Sequence, residues 1–251
     1  MIRRTLLLGA LALVAACSRA PGLDRLAPGE QGRVADVRSG DSLALDSGLE
    51  VRLAGVEAPK GADAYARESA AALRRLVDGR RVQLLYGGAR RDRYGRALAH
   101  LQLKHGGWVE QILLRQGAVR ARTWPDNRAM AAPMLEAEAY ARNRKLGLWA
   151  LPVYRVLLPG EASSATGFAV VEARVRSLDP AAPGRLELTG QPGRGLAARI
   201  DPKAAGDFKT AGKAPEQLRG RHLRLRGYVR GWDHTLELDH PEQVELLKEE
   251  D

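Results

Sequence analysis

Cysteine is nearly missing from this 251-residue chain: Cys17 is the only one. A disulfide within the chain is therefore excluded, and stability has to come from packing, with a bound ion as the available supplement. Histidine is sparse as well. His222, His234 and His240 have neither a cysteine nor a second close histidine at zinc-ligand spacing, so they read as satisfied or solvated side chains. Spanning hydrophobic runs are lacking too, since the apolar stretch Thr5 to Ala16 is too short to cross a bilayer as a helix.

The first residues do carry a targeting pattern. Arg3 and Arg4 supply a positive start, the apolar stretch follows, and Val14-Ala15-Ala16-Cys17 closes it. This resembles a bacterial lipoprotein signal over 1–16, cleaved before a cysteine that then carries lipid; a plain signal peptide with an incidental thiol is the other reading. Lipid on Cys17 places the protein in the cell envelope, facing the periplasm. The outer membrane is favoured because Ser18, and not an aspartate, follows. The membrane is then a partner through that lipid alone, and the oligomeric state stays open. Residues 17–31, with Pro21, Gly22, Pro28 and Gly29, read as a tether.

Positive charge is abundant but unevenly placed. Residues 32–150 hold 21 Lys and Arg against 13 Asp and Glu, whereas 151–251 hold 15 of each. The basic excess beyond the signal belongs to the first half, which suits a polyanion such as DNA or RNA through counterion release and steering. An arginine-rich surface with no such partner is the plainer alternative.

Hydrophobic residues make up 45 % of the chain, enough for one or two ordinary cores. Alternation predicts strands at Arg33–Val37, Leu43–Leu45 and Glu50–Gly55, separated by Arg38-Ser39-Gly40-Asp41-Ser42 and Asp46-Ser47-Gly48. Helical spacing over Ala64–Val77 ends at Asp78-Gly79. Strands follow at Arg81–Tyr86 and Ala97–Leu103, then helices at Trp108–Arg115 and Ala129–Lys145. Five strands and three helices in this order suit a closed barrel of the oligonucleotide-binding type, a mainly β fold with helices.

Five motifs now fall in line. Ser39-Gly40-Asp41-Ser42, Val51 to Lys60, Asp92-Arg93-Tyr94-Gly95-Arg96-Ala97-Leu98-Ala99, Leu114-Arg115-Gln116-Gly117 and Lys145-Leu146-Gly147-Leu148-Trp149 occur in sequence. In order and spacing they resemble the staphylococcal-type thermonucleases, so 32–150 is identified as a thermonuclease-like domain. The resemblance implies a metal-dependent phosphodiesterase or endonuclease that hydrolyses DNA or RNA. It implies a calcium ion held by Asp41, Glu57 and the backbone carbonyl of Ala58, hard oxygen ligands of the kind calcium prefers. Arg52 and Arg96 would grip the scissile phosphate, and Arg52 would also offset charge building in the transition state. Arg93 and Tyr94 would line the nucleotide pocket.

Three departures accompany the match. Ser39 stands where the family often has a second acid. Lys60 occupies the general-base position, where the family has a glutamate, and a charged lysine cannot act as a base. Either Asp63 supplies the missing carboxylate, or the enzyme runs slowly on metal and arginines, or the site binds without cutting. The last is the alternative function: a catalytically degenerate lipoprotein that binds nucleic acid or a protein partner. Third, Arg122-Thr123-Trp124-Pro125 replaces a tyrosine-bearing loop; Trp124 either stacks on a base or packs its own loop.

Residues 151–166 read as a linker. Strand patterns then recur at Phe168–Val175, Arg185–Thr189, Leu196–Ile200, Arg219–Val229 and Thr235–Leu238, with helical pieces over Pro202–Leu218. Residues 167–251 thus resemble a second barrel of the oligonucleotide-binding type. Arg224 and Arg226 share one face of a strand and either extend a nucleic-acid groove, dock a protein or support the fold.

Overall fold

A computed structural model describes residues 22–162, 167–189 and 196–248. The signal segment 1–16, Cys17 and the start of the expected tether lie outside them.

The first unit holds β1 (Ala27–Ser39), β2 (Ser42–Leu45), β3 (Glu50–Leu53), β4 (Val56–Glu57), α1 (Ala66–Val77), β5 (Arg81–Tyr86), β6 (Ala97–Leu103), α2 (Val109–Arg115), β7 (Arg120–Ala121) and α3 (Ala131–Asn143). Strands close into a barrel in the order β1-β2-β3-β6-β5, while β4 and β7 form a separate pair. All neighbours are antiparallel except β3 and β6. β1 serves both sides of the closure: Ala27–Arg33 pairs with β5 and Val34–Ser39 with β2, with register irregularities inside each segment that bend the strand. Inward residues such as Val34, Leu43, Val51, Leu84 and Leu101 fill the barrel, capped by Leu73 of α1 and Leu113 of α2.

The tether is shorter than expected. Leu23 and Leu26 are buried in the barrel core and β1 already starts at Ala27. The residues that read as loop have structural duties: Pro28 sits near the strand start, where a missing donor is tolerated. Gly29 is needed because a Cβ there would lie 2.2 Å from the Tyr86 ring.

The second unit contains α4 (Pro159–Ala162), β8 (Gly167–Leu178), β9 (Arg185–Leu188), β10 (Ala197–Ile200), α5 (Ala205–Thr210), α6 (Pro215–Leu218), β11 (His222–Arg230), β12 (Thr235–Leu238) and β13 (Val244–Leu246). Here β8, β9, β10, β12 and β11 follow one another, and β11 returns to β8; β13 adds to the free part of the β11 edge. The parallel pair is β10 and β12. Both units are thus closed five-stranded barrels with one strand order, and a helical insertion follows the third barrel strand in each, α1 in the first and α5 with α6 in the second.

The expected linker is packed where it is described. The Tyr154 hydroxyl donates to the Ala64 carbonyl at 2.6 Å, Leu157 bonds to the backbone of β8, and Ala162 enters the second core. Nor do Arg224 and Arg226 face a groove. Arg224 pairs with Glu172 and Glu245, while Arg226 is fully buried between the barrels. Its Nη2 lies 2.9 Å from Glu138 of α3 and 2.7 Å from Glu245, and its Nη1 donates to the Ala121 carbonyl at 3.1 Å. Burial alone lowers a guanidinium pKa, but the two carboxylates outweigh it and raise that of Arg226. Around this hub, Arg128 pairs with Asp207 and Glu242, and His240 Nε2 lies 3.2 Å from the Thr123 hydroxyl.

Candidate active site

The β1–β2 turn aims Asp41 inward. A Cβ at Gly40 would sit 1.8 Å from Ser69 Oγ, so the turn closes tightly over α1. Asp41 is buried. Its Oδ1 accepts from Ser39 Oγ and its Oδ2 from the Ala58 N–H, both at 2.8 Å. Ala58 therefore engages the carboxylate through its amide. Two cations share Oδ2: Arg52 Nη2 at 3.0 Å and Lys60 Nζ at 3.6 Å. Arg52 also donates to the Leu53 carbonyl at 3.1 Å, and only 12 % of its side chain is exposed. Burial pushes its pKa down from the usual value, and Asp41 and Glu57 oppose that shift. A guanidinium held this way loses little freedom on meeting an anion.

Glu57 ends β4 and is ion-paired with Arg122, just past β7. The Arg122 guanidinium lies 4.1 Å from the Trp124 ring centre and 4.4 Å from that of Tyr228, on β11 of the second barrel. On the opposite wall, Asp92 folds its own turn. Oδ1 accepts the Tyr94 and Arg96 amides at 2.9 and 3.0 Å, and Oδ2 takes Arg96 Nε at 2.8 Å. Tyr94 projects into solvent with Arg93 5.0 Å from its ring centre.

Arg52, Glu57, Lys60, Arg93, Tyr94, Arg96 and Trp124 line one pocket of about 720 Å³, with Asp41 behind Arg52 and Lys60. Seven of the residues singled out from the sequence thus line one pocket with Asp41 against it, while Cys17 lies outside the described residues. Asp63 is not part of the lining: its Oδ2 caps the Lys60 amide at 2.9 Å, so it holds the loop. Arg122 and Tyr228 complete the pocket and had no role in the sequence reading. Arg122 was visible only as a neighbour of Trp124, and Tyr228 carries no local signal.

Calcium requires roughly six to eight oxygen ligands. Asp41 already spends both oxygens on four nitrogen and hydroxyl donors, and Glu57 is taken by Arg122. Three cations, Arg52, Lys60 and Arg122, face two carboxylates, leaving one net positive charge before any metal enters. This donor set does not fit a calcium ion. It fits an anion, because several fixed guanidinium groups and an ammonium converge on one cleft.

The family model described as "Staphylococcal nuclease homologue" matches residues 50–151. An Escherichia coli protein named "Uncharacterized endonuclease" is 34 % identical over 122 residues, 47 % of this chain and 76 % of that protein. A Haemophilus influenzae protein of the same name is 30 % identical over 159 residues, covering 60 % and 81 % of the two chains. The "Thermonuclease" of Staphylococcus intermedius is 28 % identical over 131 residues, covering 48 % and 77 %.

Proposed function

The chain belongs to the staphylococcal nuclease family, and on that premise we propose that it binds and hydrolyses the phosphodiester backbone of DNA or RNA in the Arg52 pocket. One observation carries this reading: Arg52, Arg96, Arg122 and Lys60 line the same cleft beside exposed Tyr94 and Trp124. Hydrolysis is an in-line displacement in which a water oxygen bonds to phosphorus and yields its proton to solvent, while the P–O bond to the leaving oxygen breaks and that oxygen keeps the electron pair and takes up a proton from solvent. Its transition state carries charge that prearranged guanidinium groups stabilise. Arg52, anchored by Asp41, and Arg96, anchored by Asp92, supply that stabilisation at fixed positions.

Calcium dependence, implied by the family resemblance, would require Asp41 and Glu57 to shed Lys60 and Arg122. A second reading, binding without cleavage, is favoured by one contact. The Lys60 ammonium sits on Asp41, and the nearby Asp63 carboxylate is committed to the Lys60 amide.

The assay is digestion of single- and double-stranded DNA and RNA, with calcium and with chelator, by the parent protein and Arg52→Lys. Cleavage that falls about a hundredfold in Arg52→Lys is expected, the usual loss for one transition-state donor. No cleavage at high protein concentration, with binding retained, would establish the second reading. The proposal extends to location: Cys17 carries lipid and anchors the protein in the cell envelope, periplasm-facing. Fatty-acid labelling that survived Cys17→Ala would refute it.

A further inference from the structure

Beside the phosphate pocket lies a smaller cavity of about 150 Å³ between the barrels. Its walls are aromatic and come from both units. Trp124 belongs to the loop after β7, Phe168 to β8 and Tyr228 to β11. Phe168 and Tyr228 pack at 6.1 Å between ring centres, and Trp124 and Tyr228 each remain 40 % exposed. Such half-open rings on a polar cleft are the surfaces on which bases stack.

The polar side of the cavity is formed by Glu237, Asp239 and Gln243. Two of these are committed. Gln243 Nε2 donates to the carbonyls of Arg226 and Glu237, and the Glu237 carboxylate pairs with Arg230 at 3.1 Å. Asp239 is different. Its Oδ1 is buried, accepts no hydrogen bond and lies 3.8 Å from His240 Nε2, while 38 % of the side chain is exposed, so that exposure belongs to the rest of the carboxylate. Burial raises its pKa, as expected for a carboxylate short of donors. An N–H donor entering this cavity would meet the exposed edge of that carboxylate.

The cavity and the phosphate pocket share three residues, Arg122, Trp124 and Tyr228. Arg122 thus stands at the junction, with its guanidinium between the two rings. We propose that the inter-barrel cavity is a nucleobase subsite for single-stranded nucleic acid, taking an unpaired base that bears an exocyclic amine. The base stacks on Trp124 and Tyr228 in place of the Arg122 guanidinium, which turns onto the adjoining phosphate, and its amine donates to Asp239. A duplex cannot supply this ligand, because its bases are stacked on one another and their amines are paired. Thymine and uracil lack the amine and lose the Asp239 contact. The second barrel is then part of the substrate site, and it sets strand and base preference. This inference rests on the reading of the neighbouring pocket as a nucleic-acid site.

The test is fluorescence anisotropy with the full chain in chelator, using labelled oligo-dC, oligo-dA, oligo-dT and a duplex. Oligo-dC and oligo-dA are expected to bind about tenfold tighter than oligo-dT, the worth of one buried hydrogen bond to a charged group. Asp239→Ala should bring all three to the oligo-dT value. Tyr228→Ala should weaken every single strand about tenfold, and Tyr228→Phe, which keeps the ring, should recover most of that loss. Thermal unfolding of each variant separates lost binding from lost fold. Equal affinity for oligo-dC and oligo-dT, or single-strand binding indifferent to Tyr228→Ala, overturns the subsite while leaving the phosphate pocket standing. No binding to any strand overturns both readings.

Discussion

Replacing Lys60 by glutamate tests the charge balance of the pocket directly. Lys60 Nζ lies 3.6 Å from Asp41 Oδ2, and 53 % of the lysine side chain is exposed. At that distance the Coulomb attraction is about 1 kcal/mol at the dielectric of water and about 4–5 kcal/mol at an effective dielectric near 20. Half exposure places the pair toward the lower value, about 1 kcal/mol. In Lys60→Glu the attraction becomes a repulsion, so the loss is about 1–2 kcal/mol in chelator. The same change takes the cluster from three cations and two carboxylates to two and three, that is, from +1 to −1. A third hard oxygen donor and a negative field are what a divalent cation needs.

Calcium at about ten times its dissociation constant would return about 1.4 kcal/mol to the variant through mass action. For a chain of this size, each kcal/mol moves the unfolding midpoint by about 2–4 °C. Thermal melts with calcium and with chelator are the assay. The parent midpoint should not respond to calcium. The variant should melt about 2–8 °C lower in chelator and recover much of that with calcium. Lys60→Gln, which removes charge without adding a ligand, should fall less and show no calcium response. A parent protein that calcium stabilises as strongly as Lys60→Glu would refute the reasoning.

Two further outcomes follow from buried and half-buried charge. Arg226→Met leaves Glu138 and Glu245 short of their shared cation between the barrels, and should cost about 3–5 kcal/mol in denaturant unfolding; a loss under about 1 kcal/mol would contradict the hub. The hydrogen bond from Tyr86, with that from Arg91, holds Glu30 at a pKa of about 2, below its ordinary 4.5. A depressed carboxylate contributes stability above the unfolded value, and the contribution fades as pH falls from 4.5 toward 2. Glu30→Gln should therefore melt below the parent at pH 7, with the gap closing in acid; a gap constant with pH would refute this.

The strands and helices of the first barrel were legible because local alternation and its stops, Asp46-Ser47-Gly48 and Asp78-Gly79, coincide with the real turns. So were Arg52, Glu57, Lys60 and Arg96, since their motifs place them in one cleft. What escaped depends on contacts distant in the chain. Pro28 and Gly29 look like tether until Tyr86 is seen packed over Gly29. Glu138 looks like an ordinary helix charge and Arg226 like part of a basic strand, because a buried ion pair leaves no apolar pattern on either element. Tyr228 enters the pocket from a strand whose alternation says only that it faces outward; that the other barrel lies there is not written in its neighbourhood.

The peptide unit at Ala121 ties these observations together. Its N–H donates to Glu138 at 2.7 Å, its carbonyl receives Arg226 at 3.1 Å, and the next side chain is Arg122. The residue before the pocket is thus pinned from both barrels at once. Cut between the barrels, the chain would keep a complete first core and yet lose the setting of Arg122, Glu57 and the aromatic wall. The seam that divides the sequence into two folds runs along one edge of the pocket, where Tyr228 meets Arg122, so the first fold alone does not complete it.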